Sequence, residues 1–415
     1  MAAIAHSSTQ QNTNQSTTSA TYVDVSGASI ASTEFTVDKK YLLWVSAQIR
    51  VGTLDVVMGM QAVHGSTTFA ESELLAAVSN TANFGTTYNW FHVWTAVSGE
   101  SIKLQFKSNG TATVNADQIH LLAINLSDDL VENTDWFFAE DATDALNIGL
   151  TPVDGASVTF TPSGVSDWLV AAWAQIRSQA INLFSALIRS GEASSSLPES
   201  LTEQNITEDI YLVLNPRVFA LTAASNTFKE QARSSAAGGT ADRLHSRVFA
   251  LNLNAFRNHA NAYTEADVNL GTVDYGTALQ TISITPDVAG DVWIGSYFGF
   301  DKQNTSREVE FRVQVDNVDE PAGQTTDNYQ FSQSDENTDE DPFSLSTMPN
   351  LTAAEHTIDL DASADSTTAT PAAQYRTLWA VTMELPAAAG PSTAQTMPAL
   401  TGFTATGGMI GRQDI

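Results

Sequence analysis

A chain of 415 residues, 42% of them apolar, is long enough to bury several cores, and its length alone points to about three domains. It has no cysteine, which excludes disulfides, thiolate metal sites and a cysteine nucleophile. With 18 Lys and Arg against 47 Asp and Glu the net charge is −29, so DNA and RNA would be repelled and no nucleic-acid partner is expected.

No window approaches the ~18 uninterrupted apolar residues of a membrane helix, so no membrane partner is expected either. The first residues, Met1-Ala2-Ala3-Ile4-Ala5-His6, offer neither the basic nor the apolar region of a secretion signal. Residues 1–20 are a Ser/Thr/Gln/Asn run, read as an N-terminal arm that orders only on a partner.

A first domain is read over 21–132. Its apolar runs are short, rich in Val, Ile, Trp, Tyr and Phe, and broken by Gly, Ser, Asn and Thr, which is the strand signature. Along its opening strand Leu43, Val45, Ala47 and Ile49 share one face, and Trp44, Ser46, Gln48 and Arg50 share the other. Trp90, His92 and Trp94 alternate farther on, as platforms that stack on sugars can do, although core or interface packing is the commoner use of such a stripe.

A second domain is read over 133–258, opening on Trp136-Phe137-Phe138. The counterpart at the start of the third, 259–386, holds Tyr263. Aromatics in such connectors are expected to pack between consecutive domains. Residues 181–189 are read as a strand and Val309 to Asp316 as a clean period-two strand. Residues 387–415, with Pro391 and Pro398 and no helical period, form a C-terminal arm.

The chain spells one closing strand three times. It reads Ile119-His120-Leu121-Leu122-Ala123-Ile124-Asn125-Leu126, then Arg247-Val248-Phe249-Ala250-Leu251-Asn252-Leu253, then Leu378-Trp379-Ala380-Val381-Thr382-Met383. Ala123, Ala250 and Ala380 stand 127 and 130 residues apart, one ordinary domain length each. Opening strands recur in step, Leu42 to Arg50, Leu169 to Arg177 and Trp293 to Phe300, and so do the strands that precede each closing strand. A single plan copied twice more is the reading.

Chemistry is sparse. No Gly-x-Ser-x-Gly elbow, phosphate-binding Gly loop or His-Glu-x-x-His helix is present, and the seven histidines are scattered, so no enzyme is expected. Asp335, Asn337, Asp339 and Asp341 copy the alternate oxygen ligands of half a calcium loop. Glu340 and Ser346 stand where that loop needs Gly and Glu, which favours a solvated acidic loop. No cofactor is expected beyond that candidate calcium.

The order of opening strand, Ser101-Ile102-Lys103-Leu104-Gln105-Phe106, the turn Asn109-Gly110-Thr111 and the closing strand resembles the jelly roll of tumour necrosis factor and complement globular heads. Similar modules occur in bacteriophage capsid-decorating and fibre proteins. The resemblance implies an all-β chain of three tandem antiparallel β-sandwich domains with extended arms. It further implies a homo-oligomer, in the family's habit a trimer, joined through an aromatic sheet face on which Trp44, Trp173 and Tyr297 would lie. A virion structural protein exposed on the particle surface, with other capsid or fibre proteins as partners, is the functional expectation. A glycan-binding adhesin using Trp90 and Trp94 is the first alternative, and a surface-layer or appendage protein the second.

Overall fold

A computed structural model describes residues 3–11, 13–51, 56–78, 84–179, 183–192, 195–196, 200–202, 209–235, 240–270, 278–301, 307–320, 330–334, 340–364 and 372–386. The chain is all-β, as its composition predicts. Among the described residues the helical pieces are three single 3-10 turns, Ser32–Glu34, Ala70–Ser72 and Leu253–Ala255.

Twelve strands form three four-stranded sheets of one design, the second continuing through Leu74–Val78 into the outer strands of the first segment. The first comprises β1 (His6–Gln11), β2 (Lys40–Val51), β3 (Phe84–Thr95) and β4 (Val114–Asn125). The second comprises β5 (Trp136–Asp141), β6 (Ser166–Gln179), β7 (Asp209–Leu221) and β8 (Thr240–Asn252). The third comprises β9 (His259–Thr264), β10 (Gly290–Asp301), β11 (Glu340–Thr347) and β12 (Ala372–Thr382). Their orders are β1-β4-β2-β3, β5-β8-β6-β7 and β9-β12-β10-β11, all antiparallel. The same four-strand order thus recurs in each third of the chain.

Each of these inner sheets is faced by an outer one. Val23–Ile30, Ile102–Lys107 and Val56–His64 neighbour one another in the first segment. Val153–Phe160, Asn226–Ser234 and Leu183–Ser190 do so in the second, and Ala278–Ile284, His356–Ala364 and Arg307–Val315 in the third. The middle outer strands of the first two segments alternate strictly: Asn226–Ser234 is buried at every second residue, and so is Ile102–Lys107. One face meets the core and the other meets water. Inner strands do not alternate, because β2 is buried from Tyr41 through Ile49 and β4 from Ala116 onward.

That difference locates two kinds of core. In the third segment Ile282, Ile284, Val309, Phe311 and Ile358 of the outer sheet pack on Val292, Ile294, Leu378 and Ala380 of the inner one. The second segment has its own cluster around Phe160, Trp168, Leu187 and Phe228. The largest cluster mixes all three segments, since Trp44, Phe91 and Leu122 share it with Trp173, Phe249, Trp293 and Trp379. The second faces of the inner sheets therefore meet one another.

The polar N-terminus corrects an expectation. Residues 6–11 are not an arm waiting for a partner molecule; they are β1, paired with β4 from His6↔Ile124 to Gln11↔Ile119. Its side chains stay largely half-buried while its backbone is satisfied by the ladder, so a Ser/Thr/Gln sequence suffices. Residues 387–415, read as a second arm, lie outside the described residues. Leu183–Ser190 and Arg307–Val315 are strands, as the sequence predicts.

Candidate functional site

The centre is built by register. Ala123, Ala250 and Ala380 pair with Leu43, Val170 and Ile294 respectively, so the three opening strands align without ambiguity. One residue on, the cross-strand pairs toward the centre are Trp44 with Leu122, Ala171 with Phe249 and Gly295 with Trp379. Bulk on one strand is matched by smallness on the other. Gly295 has no alternative: a Cβ there would lie 1.9 Å from Cζ2 of Trp379, whose ring crosses the bare backbone.

Three positions past each alanine partner stand Ser46, Trp173 and Tyr297. Trp173 Nε1 donates to the Asn89 carbonyl of the first segment at 3.1 Å, and Tyr297 Oη donates to Asn215 Oδ1 of the second at 3.0 Å. Ser46 Oγ accepts from the Ser346 backbone N–H of the third at 3.0 Å. Each opening strand thus reaches the third strand of the preceding segment, β3, β7 or β11, and the third segment returns to the first. The contacts form a closed cycle.

Rings fill the space inside. Trp44 stacks on Phe91 at 5.6 Å and meets Trp293 and Trp379 edge-on at 5.3 and 6.0 Å, and Trp293 meets Trp379 at 5.9 Å. The expected aromatic face thus lies between segments of one chain. Trp44, however, is equivalent to Ala171 and Gly295, and Ser46 is the first-segment counterpart of Trp173 and Tyr297.

Polar groups line the three seams. Between third and first, Ser346 Oγ accepts from Trp293 Nε1 and faces His120 Nδ1, both at 2.9 Å, and Gln10 Nε2 donates to Thr347 Oγ1 at 2.7 Å. A Ser–His contact resembles an activated nucleophile, yet both residues are buried, burial presses His120 down to about 3, and its Nε2 has no partner. It is a neutral structural hydrogen bond. Between second and third, His259 and Asn261 both reach Asp167 Oδ2, at 3.2 and 3.1 Å, and the Arg217 guanidinium lies 3.6 Å from the Tyr263 ring centroid.

The seam between first and second carries the densest charge. Arg247, fully buried, donates Nε to Glu140 Oε1 at 2.8 Å and Nη1 to the Phe91 carbonyl at 2.9 Å, and its Nη2 donates to Glu71 Oε1. Its guanidinium covers the Trp173 ring at 4.7 Å. His245 Nε2 faces the same Glu140 oxygen at 2.6 Å. Burial raises the Glu140 carboxyl, but the His245 hydrogen bond and the Arg247 charge outweigh it and hold the group at about 2. Neighbouring His92 is pushed down to about 3 by burial and by Arg247, which leaves it neutral.

The sequence named some of these residues for other roles. Trp136 is buried with Nε1 on the Leu126 carbonyl at 3.2 Å, so it joins first to second segment. Phe137 instead stacks on Phe160 at 4.6 Å inside the second segment, which corrects its reading as a contact between domains. Tyr263 stays paired in β9 while its side chain packs on the second segment's core. Trp90 and Trp94 are 0% and 5% exposed, packed on Phe69 and Phe35, so the core reading of the stripe holds and the platform alternative is corrected, since neither shows a ring face to a sugar. Asp335, Asn337 and Asp339 lie outside the described residues; Asp341 sits in β11, and its side chain lies outside them too. The seam cluster of Glu71, His92, Glu140, His245 and Arg247 went unread. Its one sequence signal is that His120, Arg247 and Thr377, each three residues before a matched alanine, interrupt otherwise apolar strands.

Deeper along β4, Asp117 is buried with Arg50 Nη2 2.8 Å from its Oδ2. Burial pushes Asp117 up to about 6, with Arg50 only partly offsetting it. A carboxyl raised on folding favours stability below its unfolded pKa of 3.8, and that contribution is lost as pH climbs through about 6. Asp117→Asn should therefore match the wild type near pH 4 and gain on it by roughly 2–3 kcal/mol by pH 7. Paired urea titrations at the two pH values check this; equal gaps at both would refute it.

No family model matches the chain. No curated protein matches it either. Among solved structures it is similar to an archaeal virus protein described as a triple jelly roll fold with a turret assembly, at 9% identity, 92% coverage of both chains and a TM-score of 0.20. A chain of infectious bursal disease virus, Gt strain, matches at 8% identity over 90% of this chain and 82% of that one, TM-score 0.23. An insecticidal delta-endotoxin of Bacillus thuringiensis matches at 9% identity over 52% of this chain, TM-score 0.21, so the alignment spans only 53% of that toxin. Virus proteins thus stand among the structural neighbours, at similarities too low to bear on activity.

Proposed function

We propose that this chain is a virion structural protein, a capsid-decorating, vertex or fibre component built of three tandem jelly-roll domains, with boundaries near 21–132, 133–258 and 259–386. The observation that carries it is the closed cycle of Ser46 to Ser346, Trp173 to Asn89 and Tyr297 to Asn215. Sheet faces that three separate copies would use to trimerise are consumed inside one polypeptide, leaving a rigid block. Such a block suits a load-bearing position in a particle, where one chain occupies a three-sided place.

Its polar side chains fit the same role. Buried groups at the seams are tied to one another rather than aimed at an open cleft, and the Ser346 and His120 pair is sealed. The surplus of acids, −29 overall, keeps particles dispersed. The block would then act through its surface, on other coat or fibre proteins, without catalysis.

Mass spectrometry of purified particles, with negative-stain imaging of the isolated chain, tests the proposal. The expected result is the chain at structural copy number in the particle and a compact three-lobed body alone. Absence from particles, or recovery in a cell-surface layer, would overturn it.

A further inference from the structure

The seam between first and second segments brings three side chains with metal-ligand chemistry close together. Glu71 on the turn Ala70–Ser72, His92 on β3 and Glu140 on β5 each place one ligand atom within 4.8 Å of the other two. Acids close together are ordinary on a protein this acidic. His92 is what sets the cluster apart.

This imidazole is partly buried, and its Nδ1 is closed to solvent with no hydrogen-bond partner. Its recorded contacts are aromatic: Phe69 at 5.3 Å, Trp90 at 5.9 Å and Phe138 at 6.1 Å. A buried nitrogen without a partner costs about 1–3 kcal/mol, so a lone pair held in this way calls for an acceptor of electrons beside it.

The carboxylates are held as metal ligands are held. Arg247 and His245 bond the Oε1 atoms of Glu71 and Glu140 and so fix both carboxylates, as outer-shell partners of metal ligands do. Arg247 is itself a cation, but the two carboxylates outnumber its one guanidinium. One imidazole with two carboxylates suits a borderline divalent ion such as zinc; calcium wants six to eight oxygens.

We infer that Glu71, His92 and Glu140 form a site for a zinc-class divalent cation that clamps the first segment to the second. The ion would draw Glu71 and His92 from one sandwich and Glu140 from the other, so occupancy would strengthen the seam. The site does not depend on the proposed virion role.

The test uses the untagged full chain, stripped with chelator and dialysed. Calorimetric titration with zinc chloride should show a single saturable site, and zinc should raise the melting temperature where magnesium and calcium do not. His92→Gln and Glu140→Gln should each weaken binding at least tenfold. X-ray absorption at the zinc edge of the wild type should show one imidazole with carboxylate oxygens, a reading that stands even if a variant fails to fold. No saturable binding, binding unchanged in both variants, or a ligand shell without imidazole would each overturn the assignment.

Discussion

Truncating Trp44 to alanine should cost about 3–5 kcal/mol, the range for emptying a buried Trp site. The residue is fully buried, and its neighbours Phe91, Trp293 and Trp379 come from β3, β10 and β12. The two tryptophans cannot relax inward freely, because β10 and β12 also build the separate core of the third segment with Val292, Ile294, Leu378 and Ala380. Trp379 is pinned further by lying across Gly295. The hole therefore stays open, and the loss falls on the junction of first and third segments. Trp44→Phe should lose much less, since the indole Nε1 has no hydrogen-bond partner to forfeit. Urea unfolding followed by circular dichroism measures both. A loss below about 1 kcal/mol for the alanine variant would mean that the centre is not packed as described.

How far the sequence carries can be judged residue by residue. Fold class was legible because the outer strands are written in period two and turns in Gly, Asn and Ser. The repeat was legible because equivalent core positions demand equivalent side chains, as at Ala123, Ala250 and Ala380. The alternation of Leu43, Val45, Ala47 and Ile49 against Trp44, Ser46 and Gln48 was also correct as geometry. What it could not tell was that both faces are buried, because an aromatic facing a neighbouring sheet is written like one facing solvent or sugar. Trp90 and Trp94 left both the core and the platform reading open for that reason, and the core reading is the one the structure bears out. The N-terminal strand escaped because its pairing uses backbone groups that composition does not report.

The seam cluster escaped for another reason. Arg247 meets Glu71 and Glu140 across separations of 176 and 107 residues, and only the register of three sheets brings them together. Strand-level reading finds a lone cation in an apolar run and no more. Distance in sequence hides the charge pairing.

Arg247→Met should destabilise the chain by about 3 kcal/mol, the lower end of the cost of breaking a buried ion pair by removing one partner. Methionine keeps length and apolar volume over the Trp173 ring, so the loss is electrostatic rather than a cavity. Three hydrogen bonds disappear together: those to Glu140, to Glu71 and to the Phe91 carbonyl. Two carboxylates are left beside each other without their cation, although their side chains keep 16% and 32% exposure, and that residual water is why the lower figure is expected. Adding Glu140→Gln to Arg247→Met should then recover part of the loss, because it removes an orphaned charge; in the wild-type background the same substitution should only destabilise. That change of sign separates a charge-bearing seam from one held by packing alone. Equal effects of Glu140→Gln in the two backgrounds would show that Arg247 does not bind the first segment to the second through its carboxylates.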